Sequence, residues 1–317
     1  MPNITPSLRS PSGALVGIGF KLASVCVFLA MSTFVRSAHG IPAGQLVFFR
    51  SFFALLPIMV FIAWRGDLGT VFHTKRPWGH LWRGLIGTAG MGFGFYGLTL
   101  LPLAESIVLG YSTPLLIVVL SALLLKEQVR LYRWTAVLIG LIGVLVIMWP
   151  KLGLISAGDL SAGTTIGALA ILISSAISAG AMLMVRTLVQ TERSATIVIY
   201  FSMTSAIVAL FSLPFGWVWP NPQQAVLLVG AGIAGGIGQI LLTESYRHAE
   251  MSVIAPFEYS SLLLGVVIGY LVFGDVLSFE TIAGGAIVIA AGIFIIIREH
   301  RLGLERKKAK AVMPPQG

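Results

Sequence analysis

Ten apolar stretches divide the 317-residue chain, and polar or basic residues gather almost only between them. They run over 14–35, 42–64, 81–101, 103–125, 132–149, 162–185, 195–219, 223–246, 252–273 and 281–297. Most approach the ~20 residues that a helix rising about 1.5 Å per residue needs to cross ~30 Å of hydrocarbon. The pattern predicts an all-α integral membrane protein with ten transmembrane helices. Charged residues make up 10% of the chain and hydrophobic ones 56%, with a mean hydropathy of +0.93. A soluble domain carries about 25% charged residues, which excludes that class.

The basic residues orient the spans. With the N-terminus inside, 17 of the 21 lysines and arginines fall in inner segments, from Arg9 to the tail Arg298–Lys310. Only Arg36 and Lys151 fall outside, while Lys21 and Arg50 lie within spans. Such a bias in short loops places both termini in the cytoplasm. The net charge of +9 therefore calls for anionic lipid, not nucleic acid, and the basic tail suits the inner leaflet. Cys26, the single cysteine, cannot form an internal disulfide, and no Cys/His spacing suggests a metal or cofactor. The small residues at Ser37-Ala38-His39 would fit a cleaved leader, but Lys21 within the first span argues against one.

The chain also repeats itself. At an offset of 148 residues the fourth span aligns with the ninth without a gap: Tyr111-Ser112 with Tyr259-Ser260, Leu115-Leu116 with Leu263-Leu264, and Val118-Val119 with Val266-Val267. Glu127 falls opposite Asp275. Two five-helix repeats follow, 14–149 and 162–297, between a short N-terminal segment (1–13), an outer linker (150–161) and a basic cytoplasmic tail (298–317). An odd number of spans inverts the second copy, the recurring design of secondary transporters.

Arg83-Gly84, Gly97-Leu98-Thr99-Leu100-Leu101-Pro102-Leu103-Ala104, Pro114 and Leu125-Lys126-Glu127 resemble an EamA domain of the drug/metabolite transporter superfamily. Tyr246-Arg247-His248-Ala249 and Val272-Phe273-Gly274-Asp275 answer in the second half, with Asp for the usual Glu, and Phe49-Arg50 is similar to the family's aromatic-Arg pair. The resemblance implies one ten-helix bundle around a central cavity, with the fifth and tenth helices at its edge. It implies a small organic substrate, with amino acids, nucleotide-like compounds, vitamins and toxic cations all represented. The first-half stretch is nearest to alphaproteobacterial uptake carriers of riboflavin and S-adenosylmethionine; an amino-acid or drug exporter is the alternative.

Charges inside a span cost at least ~2.5–3.5 kcal/mol and point to a cavity or a partner. Lys21, Arg50 and Glu258 are therefore candidate substrate residues, with Tyr96, Tyr111 and Tyr259 as rings on which a planar metabolite stacks. The alternatives are structural ion pairs for the charges, snorkelling for Lys21, and packing or an interfacial belt for the aromatics. Glu105, Glu127 and Glu244 read as helix-end or interfacial groups, with Glu127 and Asp275 also suited to gate contacts. Gly84, Gly87, Gly90 and Gly94 in the third span, and Gly232 and Gly236 in the eighth, permit close helix contact. Pro57, Pro114 and Pro256 make hinges or static bends. Gly90–Gly94 has neither the strand nor the lysine of a phosphate loop, so ATP does not drive the protein directly. A membrane enzyme would need a nucleophile, metal cluster or acid pair, and a channel would need a filter motif; neither is visible. Proton coupling is open at Glu258, as is the choice between monomer and homodimer.

Overall fold

In hydrocarbon a backbone must satisfy its own N–H and C=O groups, so the apolar stretches become helices. The computed structural model describes residues 11–66, 68–124, 126, 131–156, 163–188, 191–248 and 254–312. Its helices are α1 (Pro11–Ser37), α2 (Ala43–Trp64), α3 (Leu68–Val71), α4 (Pro77–Leu100), α5 (Leu103–Gly110), α6 (Ser112–Leu124) and α7 (Leu131–Ser156). They continue with α8 (Gly163–Leu188), α9 (Ser194–Leu210), α10 (Pro222–His248), α11 (Ser260–Phe273) and α12 (Phe279–Val312). Among the described residues seven segments are long and apolar enough to cross a membrane, one of them α5 and α6 taken together. Shorter apolar helices cover Ala195–Leu210 and Phe257–Phe273. The third expected span is α4, whose Arg83, His80 and many glycines dilute its hydropathy.

Two spans are broken at matching places. Pro114 has no N–H to offer the Gly110 carbonyl, and the chain turns at Tyr111 between α5 and α6. In the second half a 3-10 turn, Ala255–Tyr259, carries Pro256 and leads into α11. Tyr111 and Tyr259, aligned in sequence, meet edge to face with ring centroids 4.9 Å apart. Glu258 therefore lies on a 3-10 turn and not two turns into a regular helix.

α1 packs along α10, α4 along α8, α7 along α12, and α2 against both α9 and α10. Glycine makes these crossings close. A Cβ at Gly236 would stand 2.6 Å from the Ala54 carbonyl of α2, and one at Gly94 would stand 2.9 Å from Ser174 Oγ of α8. α7 and α12 touch backbone to backbone, since a Cβ on Gly143 would stand 2.7 Å from the Gly284 carbonyl. The outer faces of these two helices expose Leu138, Ile139, Ile142, Leu145, Ile282 and Phe294. Trp64, Trp149 and Trp219 are exposed at segment ends, as an interfacial belt requires. The basic tail continues α12 without a break as far as Val312.

Candidate functional site

Lys21 is buried within α1, its side chain 4% exposed, and its ammonium is paired with the Glu258 carboxylate across the break before α11. It does not snorkel. Glu258 is 52% exposed, so one end of the pair is buried and the other is not. The Tyr111 hydroxyl donates to the Glu258 carbonyl at 3.2 Å and lies 2.6 Å from Ser261 Oγ. Four sequence candidates thus form one node: Lys21, Glu258, Tyr111 and Tyr259. Its position is held by Ser24 Oγ donating to the Gly238 carbonyl (3.0 Å) and Ser245 Oγ to the Gly17 carbonyl (2.8 Å), which stitch α1 to α10.

Arg50 stands apart from that node. It is 7% exposed, and its guanidinium carbon lies 6.0 Å from the centre of the Phe201 ring on α9. Arg83 of α4 lies 4.0 Å from the same ring. By sequence Arg83 belongs to the inner-segment charges; the structure makes it part of the helix packing. The available signal was the glycine at position 87, which leaves room for a long side chain one turn away. Tyr96 is 43% exposed on α4 and joins neither group.

Between α2, α9 and α10 lies a cavity of about 410 Å³, lined among others by Ile62, Val198, Gln239, Thr243, Arg65 and Glu244. Arg65 and Glu244 pair at 3.3 Å, so the C-terminal end of α10 carries a partnered carboxylate. In the cavity wall Glu192 accepts from Thr74 Oγ1 and the Lys75 N–H, both at 2.9 Å. Burial works against its ionisation, but the Lys75 N–H, the Thr74 hydroxyl and His80 outweigh it, holding the carboxyl below its ordinary 4.5.

At the opposite end of the bundle Arg36, at the end of α1, and Asp275, just past α11, form a bidentate pair, Nη2 to Oδ1 at 2.8 Å. The Leu103 N–H at the start of α5 donates to Asp275 at 3.1 Å, and Phe273 covers the guanidinium at 4.1 Å. This clasp ties α1, α5 and α11 at one face. An arginine on the depleted side of the charge pattern was its signal in the sequence. Glu127, the aligned counterpart of Asp275, lies outside the described residues. Glu105 is buried in the first turn of α5.

A broken, glycine-packed bundle with ion pairs inside it has a known counterpart. Residues 12–149 and 165–298 each match the EamA-like transporter family. The chain belongs to that family. As a member of the EamA-like family it is a multi-pass membrane protein that transports small molecules, and not an enzyme. It is 27% identical to the S-adenosylmethionine uptake transporter of Rickettsia conorii over 90% of this chain and 94% of that one. It is 28% identical to the pseudopaline exporter CntI of Pseudomonas aeruginosa strain UCBPP-PA14, over 89% and 95%. It is 27% identical to the riboflavin transporter of Rhizobium johnstonii, over 93% and 92%. A solved structure described as "Crystal structure of protein" shares the fold with a TM-score of 0.64 and 22% identity, over 93% of this chain and 98% of that one.

Proposed function

We propose that the protein is a secondary transporter of a small organic metabolite that works by alternating access, with ten membrane helices in two inverted repeats. The observation that carries this reading is the unequal closure of the bundle. The Arg36–Asp275 clasp shuts one end, while the cavity beside Arg65 and Glu244 opens toward the other. Helix pairing supports the repeats. Exchanging the first five spans for the last five turns the α1/α10 contact into α8/α4 and the α2/α10 contact into α9/α4, and both are present. The family matches the chain twice, over 12–149 and 165–298, close to the proposed repeats 14–149 and 162–297. The contact of Tyr111 with Tyr259 suits residues lying near a two-fold axis in the membrane plane.

The charge bias places both termini in the cytoplasm of a bacterial inner membrane, so that the cavity faces inward and the clasp outward. Lys21, Glu258, Tyr111 and Tyr259 form one substrate-facing node and Arg50 a second polar group, with Tyr96 on the rim. Glu258, paired but half exposed, can take up a coupling proton. S-adenosylmethionine and riboflavin are the first substrates to test, because relatives aligned over nearly the whole chain are named for them. The pseudopaline exporter, 28% identical, keeps export of an amino-acid-like compound as the second reading. The test is flux of both labelled compounds in intact cells and in inverted vesicles. Saturable movement of one of them, lost in Arg50→Lys at normal abundance, is expected. No saturable flux of any metabolite in either orientation would overturn the proposal.

A further inference from the structure

The inner cations of the bundle are balanced unevenly. Lys21 has Glu258, Arg36 has Asp275 and Arg65 has Glu244. Arg50 and Arg83 have no hydrogen-bond or ion-pair partner among the described residues, and both lie against the Phe201 ring. Arg50 Nε and Arg83 Nε and Nη1 are buried with donors unused. A buried charge is normally destabilising unless it is paired, and two like charges at one ring add mutual repulsion. Stacking on Phe201 offsets only part of that.

Room has nevertheless been kept for both groups. A Cβ on Gly87 would collide with Arg83 Nη1, and one on Gly235 would stand 2.9 Å from Arg50 Nε. The pair also lies next to the cavity. Phe201 follows the cavity residue Val198 by three positions on α9, and Gly235 precedes the cavity residue Gln239 by four on α10. On both helices the step is one turn, further from the mouth at Arg65.

We propose that Arg50 and Arg83 together form an anion subsite at the deep end of the cavity, which takes the carboxylate of a substrate whose flat portion packs on Phe201. Two planar forks holding unused donors suit a carboxylate's oxygens, and the ligand supplies the negative charge that the protein withholds. The inference rests on the transport reading above and narrows it to carboxylate-bearing substrates. Arg83 then sets specificity as much as Arg50 does.

The test uses the purified full-length protein in detergent and two isosteric probes, benzoate and benzamide, at equal concentration and ionic strength. Benzoate should raise the Tm of the parent protein and benzamide should not, and Arg50→Gln and Arg83→Met should abolish the benzoate response. Without probe, Arg83→Met should unfold about 3 °C or more above the parent, because a repelled, unpaired charge has been replaced by an apolar chain of similar length. Equal responses to the two probes, or a lower Tm in both Arg83→Met and Arg83→Gln, would overturn the subsite. A protein that binds benzoate through both arginines yet moves no carboxylate in vesicles keeps the subsite and refutes the transport reading. A protein that moves a carboxylate unchanged in Arg83→Met does the reverse.

Discussion

Asymmetric burial decides what each member of the Lys21–Glu258 pair is worth. Lys21 is nearly dry while Glu258 is half exposed. Removing the carboxylate charge strands an ammonium in a buried site, which costs ~3–5 kcal/mol when one partner of such a pair is lost. Removing the ammonium leaves only a half-exposed carboxylate, which is solvated without a partner if that exposure leads to water. Glu258→Gln should therefore lower the Tm of the purified protein well beyond the drop caused by Lys21→Met. Thermal unfolding of the two variants side by side checks this, and equal drops would show that the Glu258 exposure does not lead to water. The same reasoning explains the use of Asp275. One carboxylate receives Arg36 and the Leu103 N–H together, so three elements close on a single side chain.

Among elements, glycine positions separate contacts from open space. Gly284 of α12 lies against the backbone of α7, where a Cβ would stand 2.5 Å from the Gly143 carbonyl. Among the described residues, no side chain or neighbouring helix comes within 4 Å of a Cβ placed on Gly92 of α4. Gly284→Leu should force α7 and α12 apart and lower both yield and Tm. Gly92→Ala should be neutral or stabilising by up to ~1 kcal/mol, since alanine restricts the unfolded chain and suits a helix better. Both are read from fluorescence-detected size exclusion with a temperature ramp. A harmless Gly284→Leu would mean that the two edge helices are not in backbone contact. The breaks at Tyr111 and in Ala255–Tyr259 belong to this scale too. The second break leaves the Glu258 carbonyl free to accept from the Tyr111 hydroxyl of the first, at 3.2 Å.

For the whole molecule the sharpest expectation is the sidedness of its two ends. Reporter fusions after Lys151 and at the C-terminus should read periplasmic and cytoplasmic respectively. The same reading at both sites would remove the odd span number on which the inverted repeat depends. Reversed readings would instead exchange the faces assigned to the clasp and the cavity, and with them the direction in which this conformation is open.

Hydropathy and charge by themselves determined the membrane class and the positions of the apolar segments. These follow from local composition and helical rise alone. The offset of 148 residues marked Tyr111 and Tyr259 as equivalent, and the structure put their rings in contact. Charged residues within spans singled out Lys21, Arg50 and Glu258 because burial cost is a property of each residue and its depth. Partnership is a property of the packing, and only the tertiary structure decided it. Lys21 and Glu258 are 237 positions apart, as the chain must pass through both halves before they meet. Arg83 read as an inner-segment charge because its sequence position marks only how near the membrane edge it begins. Its long side chain, with Gly87 beside it, reaches the Phe201 ring that Arg50 also faces. Arg36 likewise became a clasp only when α11 brought Asp275 to the end of α1. Local pattern sets which groups are costly, and the fold sets which groups relieve that cost, since three-dimensional proximity depends on every helix at once.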